Sequence, residues 1–205
     1  MERRPNILLI TTDEERAAIP RPNGYSLPAR ERIAEQGVRF TNHYTASAMC
    51  SSARSVIYTG RHVPITRIYD NDNFPYIQPL DPALGTLGTM LGTAGYQCTY
   101  QGKWHLSKAY ADSGDPSTTR ALEPYGFLEW NDWGDIDGGA WAGLKIDPVI
   151  AGQAAAWIRR RAPAVAAEQP WFMAVNFVNP HDIMSFDYGD VRGCTCHRVP
   201  PTPRW

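Results

Sequence analysis

Asn6-Ile7-Leu8-Leu9-Ile10-Thr11-Thr12 is a short, unbroken apolar run that stops at Asp13-Glu14-Glu15. Continuous hydrophobicity without alternation is the pattern of a strand buried on both faces, as in a parallel sheet. The acidic residues then fall at its carboxyl end, the edge of open α/β sheets at which ligands bind. Two later runs read in the same way. Tyr96–Gln101 leads into Gly102-Lys103-Trp104-His105, and Trp171–Val178 leads into Asn179-Pro180-His181-Asp182.

Helical spacing fills the intervals. Leu27–Gln36 is stopped by Gly37, Ser51–Tyr58 precedes Gly60, and Leu84–Ala94 is closed by Gly95. Pro148–Arg161 has Asp147 as its expected cap and arginines at the end the helix dipole favours. Val38–Ala46 reads as a further strand. Strands alternating with helices predict an α/β fold with a mostly parallel central sheet flanked by helices. In such a sheet Asp13-Glu14, Lys103/His105 and His181-Asp182 land on one edge, and that convergence predicts a single active site.

The bulk numbers are compatible with one soluble domain. The chain has 205 residues, 43% hydrophobic and 20% charged. A formal net charge of −1 recruits neither nucleic acid nor an anionic membrane, so any anion site must be local. Ile7–Ile10 is too short for a signal-peptide core or a membrane span, which leads to a cytoplasmic assignment. Residues 1–205 read as a single domain with an irregular tail over 189–205. Cys50, Cys98, Cys194 and Cys196 do not have disulfide-framework or paired CxxC spacing. Cys98 lies in a strand-like run as a small buried residue, and Cys194-Thr195-Cys196-His197 reads as a polar loop rather than a metal site.

Cys50-Ser51-Ser52-Ala53-Arg54 opens a helix. A side chain at a helix N-terminus gains partial positive charge and free N–H donors, and Arg54 falls one turn further along the same face. Read locally, the simpler reading makes Cys50 a buried small residue and Arg54 a surface one.

The longer stretch CSSARSVIYTGR, residues 50–61, resembles the signature of type I sulfatases, the formylglycine-dependent branch of the alkaline-phosphatase-like superfamily. The resemblance implies that Cys50 is oxidised to formylglycine by a maturation enzyme. One hydroxyl of the hydrated aldehyde then attacks sulfur and the other helps expel sulfate, with Arg54 as stabilising partner. Ser52 departs from the Pro or Ala usual at its position, which the maturation machinery reads. Pro5–Ile10 with Asp13 and Glu14 is similar to the family's opening strand and metal-binding acidic pair, Glu14 standing for the second aspartate. Ala34–Tyr44 resembles the segment leading to the nucleophile, with His43 structural within it. Gly95 to Leu106 is similar to the second signature, which implies that Lys103 and His105 contact the sulfate and residue 50. Lys103 and His105 would point to opposite faces of a strand, so both reach a ligand only from a turn. Asn179–Asp182 is similar to a third element, with His181 protonating the leaving alcohol and Asp182 either orienting it or capping a turn.

The expected activity is hydrolysis of a small-molecule or carbohydrate sulfate monoester. The expected metal is Ca2+, with Mg2+ or Mn2+ as alternatives, held by Asp13, Glu14 and Cys50. A cation with Arg54, Lys103 and His105 would surround the sulfate with positive charge, each unit charge at roughly 4 Å offering about 4 kcal/mol. The family's second pair of metal ligands has no counterpart after Asp182; Asp187 and Asp190 lie too near His181. Three ligands supply about half of the 6–8 oxygens calcium takes, so weak metal binding and a truncated or fragmentary chain are expected. A phosphonate or phosphate ester hydrolase of the same superfamily, and a catalytically inactive fragment, are the alternatives. Trp130, Trp133 and Trp141 are candidates for stacking on a sugar or aryl ring, although packing is the commoner use of tryptophan.

Overall fold

The computed structural model describes residues 4–16, 24–108, 118–136 and 141–185. Its centre is a three-stranded sheet in the order β1-β3-β2, with β1 at Ile7–Thr11, β2 at Gln97–Gly102 and β3 at Trp171–Asn176. Both pairings are parallel. Ile7 faces Phe172 and Thr11 faces Asn176, while Gln97 faces Trp171 and Gly102 faces Asn176, so all three strands end level. The chain is therefore α/β with a parallel sheet and flanking helices, as its sequence predicts. The tail over 189–205 and the Cys194–His197 motif lie outside the described residues.

The helices are α1 (Pro28–Gln36), α2 (Cys50–Thr59), α3 (Val63–Thr66), α4 (Leu87–Thr93), α5 (Ala142–Arg160) and α6 (Ala162–Glu168). Each face of the sheet carries its own core. Phe172 and Ala174 face Tyr58 of α2 together with Cys98, Tyr100, Trp104 and Phe127. Met173 and Val175 face Ile150, Ala154 and Trp157 of α5 and Ala162 of α6. Each fully buried apolar side chain of this kind contributes about 1.5–3 kcal/mol. Cys98, 3% exposed, is a packing residue as expected, and so is Trp104, 0% exposed. Trp130 is buried, with its indole N–H on the Gly102 carbonyl oxygen at 3.0 Å, and Trp133 packs on the second core.

Three local expectations are corrected. β1 is an edge strand, and its burial alternates. Ile7 and Leu9 pack on the first core, but Leu8 and Ile10 are 44% and 50% exposed, because α5 packs on β3 and β2 and α6 on β3, away from the β1 edge. Val38–Ala46 forms no strand: Val38, Phe40 and Tyr44 alternate in sequence but are 79–85% exposed, with no strand beside them. His43 in this segment is also exposed. Finally, α5 begins at Ala142 and runs through Pro148. Asp147 does not cap it, because its carboxylate accepts the Val178 and Asn179 amides at 2.7 and 2.9 Å.

Candidate active site

β1 leads into Asp13, which is 6% exposed. Its Oδ2 takes Lys103 Nζ at 2.8 Å and Arg54 Nη2 at 3.6 Å. Burial pushes the Asp13 carboxyl up, yet the charges of Arg54 and Lys103 outweigh it and hold the group below its ordinary range. Arg54 Nη1 and the Tyr100 hydroxyl both donate to the Lys103 carbonyl oxygen at 2.8 Å. The Arg54 guanidinium thus ties α2 to the turn after β2 and to the end of β1.

That turn gives Lys103 and His105 different surroundings. Gly102 has φ +92°, and a Cβ there would overlap the Asn176 carbonyl oxygen, so only glycine lets β2 and β3 approach so closely. His105 has φ +59°. Asp135, half-buried, holds this conformation by accepting the amides of Trp104 at 2.9 Å and His105 at 2.6 Å, with Ile136 N on the same carboxylate at 2.9 Å. Asn131 grips the preceding residue from both sides, accepting Gly102 N and donating to Gly102 O, each at 2.8 Å. The His105 ring lies against Asp72, Nε2 to Oδ1 at 3.2 Å, and is 2% exposed. Burial, then the charges of Lys103 and Arg54, lower its pKa to about 3, so the imidazole is neutral at physiological pH. His105 therefore adds an N–H donor rather than the positive charge the sequence suggests.

Cys50 is the first residue of α2 and is 7% exposed. Met49 precedes this helix in extended conformation and its side chain does not cap it, and Asn71 Oδ1 accepts the Ser51 amide at 3.2 Å. The thiol approaches Glu14 Oε1 at 3.8 Å. Burial, then the negative charge of Asp13, pushes its pKa up to about 11. Glu14 turns back at φ +60°, and its Oε1 lies 3.9 Å from His181 Nε2. Ligand atoms of Asp13, Cys50 and His181 lie within 4.8 Å of one another. Asp182 does not orient His181: its carboxylate accepts the amides of Gly143 and Leu144 at 2.9 and 3.3 Å, at the start of α5. Beside the cluster is a cavity of about 250 Å³ lined by Asp13, Glu14, Cys50, Arg54, Tyr58 and Asn176, among others. Lys103, His105 and His181 do not line it; Lys103 reaches it through Asp13.

The structure thus brings Asp13, Glu14, Cys50, Arg54, Lys103 and His181 together, with His105 one shell further in against Asp72. Sequence reasoning missed Asp72, Asn131 and Asp135. They lie in polar loops without periodicity, where nothing marks an acid as a clamp.

The parallel α/β sheet, with a cysteine-bearing helix and a cationic cluster at its carboxyl edge, has the fold of the sulfatase structures on which it superposes. The sulfatase family profile matches residues 5–196, and the chain belongs to the sulfatase family. Among curated relatives, the N-acetylglucosamine-6-O-sulfatase of Bacteroides thetaiotaomicron is 32% identical over 133 residues, covering 63% of this chain and 20% of that protein. The choline-sulfatase of Rhizobium meliloti is 24% identical over 204 residues, covering 87% of this chain and 39% of that protein. A Bacteroides thetaiotaomicron sulfatase from a glycosaminoglycan-metabolising locus superposes with a TM-score of 0.68 at 19% identity, over 86% of this chain and 45% of its own. A 2-O glycosaminoglycan sulfatase gives 0.61 at 23% identity, over 89% and 36%. The chain matches between 20% and 45% of the length of these relatives. Among the described residues no helix is long and apolar enough to cross a membrane.

Proposed function

We propose that this chain carries the nucleophile-bearing part of a sulfatase site and hydrolyses a small-molecule or carbohydrate sulfate monoester through formylglycine at position 50. The observation that carries the reading is the assembly of Asp13, Arg54 and Lys103 around a helix N-terminal Cys50 at the edge of a cavity. The thiol itself is a poor nucleophile, with its pKa near 11. Formylglycine would supply a hydrated aldehyde, and a divalent metal would supply Lewis acidity and a lower pKa for its hydroxyl.

The residues present fit such groups. Position 50 opens onto the cavity from a helix N-terminus, which favours an anion. Asp13 and Glu14 offer the carboxylate oxygens a hard cation takes, Ca2+ first and Mg2+ or Mn2+ as alternatives. Arg54 and Lys103 hold Asp13 ionised, and Arg54, which lines the cavity, offers positive charge to the sulfate oxygens. Neutral His105 lies against Asp72, and the sulfate gains no charge from it. His181, beyond the end of β3 and 13% exposed in its side chain, would give a proton to the leaving alcohol, worth about 10²–10⁴-fold. The partner this reading requires is a formylglycine-generating enzyme that accepts Ser52 inside the motif.

The test is mass spectrometry of the Cys50 peptide after expression with such an enzyme, paired with hydrolysis of an aryl sulfate and an aryl phosphonate by the same sample. Formylglycine with sulfate turnover is the expected result. Phosphonate turnover alone moves the chain to the phosphonate hydrolases, and conversion with no turnover of either defines an inactive domain.

A further inference from the structure

We propose that Asp147 is a positioning residue for His181: from the start of α5 it holds the backbone before His181 and so sets the place of the imidazole beside Cys50. The catalytic use of that placement rests on the reading of His181 as proton donor. The placement itself is read from the geometry alone.

No hydrogen bond to the His181 ring fixes it. Its Nδ1 is buried and has no hydrogen-bond partner among the described residues. Its Nε2 stands 3.9 Å from Glu14 Oε1, beyond hydrogen-bond reach. His105 differs, because its ring lies against Asp72 at 3.2 Å. The His181 ring is therefore aimed by its backbone. That backbone leaves β3 and turns back on itself, with His181 N donating to the Val178 carbonyl oxygen at 3.1 Å.

Asp147 grips this backbone just upstream of His181. Each oxygen of its carboxylate takes one amide: Val178 N on Oδ1 at 2.7 Å and Asn179 N on Oδ2 at 2.9 Å. The loop answers from the other side of His181, where Asp182 accepts the amides of Gly143 and Leu144. Those amides belong to the first turn of α5, which has no partner for them within the helix, and Trp141 supplies no cap. An acid of the helix thus holds the loop, and an acid of the loop caps the helix. Gly143 permits the close approach, since a Cβ there would stand 2.5 Å from Asn179 Cγ.

Both ends of the clamp are anchored. Val178 is 0% exposed in the second core, where Ile150 and Ala154 of the same helix also pack. The loop is therefore fixed between the sheet and a helix of 19 residues. Precision of this kind matters for a proton donor, because a misplacement of about 1 Å can lower a rate on the order of 10²-fold.

The test reads the ring first and turnover second. In the full chain with Cys50 as the thiol, a nuclear Overhauser contact between the His181 ring and the Cys50 β protons is expected, since donor atoms of the two residues lie within 4.8 Å. Asp147→Asn sets an NH2 group against one of the two amides and is expected to lose that contact. It is expected to keep the contact between the Tyr58 and Phe127 rings, whose centroids are 5.9 Å apart in the first core. Ala154→Gly loosens α5 without touching the clamp and is expected to keep both. Should Asp147→Asn not fold, Gly143→Ala decides instead, because its methyl group displaces Asn179. A His181 contact that survives Asp147→Asn or Gly143→Ala, or that Ala154→Gly also abolishes, overturns the proposal.

In a sample converted at Cys50, Asp147→Asn is expected to lower kcat on phenyl sulfate at least about tenfold with KM unchanged. On 4-nitrophenyl sulfate, whose leaving phenolate needs little protonation, the loss is expected to be about twofold or less. Equal losses on the two esters overturn the positioning role. A wild type that turns over neither ester rejects the sulfatase reading, and the ring contact then decides the clamp by itself.

Discussion

Lys103 Nζ lies 2.8 Å from Asp13 Oδ2, and the two side chains are 0% and 8% exposed. Arg54 reaches the same oxygen at 3.6 Å, so three charges from β1, α2 and the turn after β2 share one dry spot. Removing one partner of a buried pair leaves an uncompensated charge and costs about 3–5 kcal/mol. Lys103→Met and Asp13→Asn are each expected to lose about that much in urea unfolding, and the double variant less than the sum of the two. The depressed Asp13 pKa gives a sign for pH. Its contribution is present above the unfolded-state value near 3.8 and is lost as pH falls through the lower folded value. Additive losses would show that the pair is not coupled.

Asp135 behaves in the opposite sense. Burial, outweighing three amide donors, raises its pKa from 3.8 to about 6. The native state therefore binds more protons than the unfolded chain between those values, and this group's contribution to stability falls as pH rises from about 4 to 6. Integrated over the window, the effect is about 3 kcal/mol. Asp135→Asn removes the titration. The stability of the wild type relative to this variant is expected to drop by about that amount between pH 4 and pH 7. A flat difference across the window would contradict the assignment. Because Asp135 pins the amides of Trp104 and His105, the same variant is expected to shift the His105 amide resonance upfield as the 2.6 Å bond is lost.

Much of this site was legible in the sequence, and the reason is physical. Apolar runs followed by polar residues mark parallel strands and their carboxyl ends, so Asp13, Lys103 and His181 could be placed on one edge before any coordinates. The helix beginning at Cys50 put Arg54 on the face of Cys50 for the same reason. What was not legible depends on partners distant in sequence. Val38, Phe40 and Tyr44 have the alternation of a strand, but a strand exists only where another pairs with it. Asp147 has the composition of a helix cap, yet the amides of Val178 and Asn179 claim its carboxylate. The charge of His105 could not be read either, since its neutrality comes from burial beside Lys103 and Arg54.

Gly102 offers a purely steric test. Its φ of +92° and the overlap of any Cβ with the Asn176 carbonyl oxygen leave no room for a side chain between β2 and β3. Lys103 N donates to that same oxygen at 3.1 Å. Gly102→Ala must therefore separate the strands or move the turn, and a loss of about 3 kcal/mol or more is expected, by comparison with strained and overpacked core positions. Gly92, where a Cβ meets nothing within 4 Å, is the control, and Gly92→Ala is expected to be neutral or slightly stabilising. Equal melting temperatures for the two variants would contradict the close approach.

Ser52 joins stability to maturation. It is 1% exposed, and among the described residues its hydroxyl has no hydrogen-bond partner. Its carbonyl oxygen, which accepts from Ser55 Oγ at 2.7 Å, is backbone and survives substitution. Ser52→Ala removes an unsatisfied buried hydroxyl and raises helix propensity, so a gain of about 1 kcal/mol is expected. For a chain of this size that is about 2–4 °C in melting temperature. Alanine also restores a residue usual at this position of the motif. Co-expression with a formylglycine-generating enzyme should therefore give a larger converted fraction of Cys50 in Ser52→Ala than in the wild type. The two effects separate cleanly, because the stability gain needs no enzyme and is expected in cells that lack it. A higher melting temperature with an unchanged converted fraction would confine the role of Ser52 to packing, and a lower one would mean that its hydroxyl is bonded in solution.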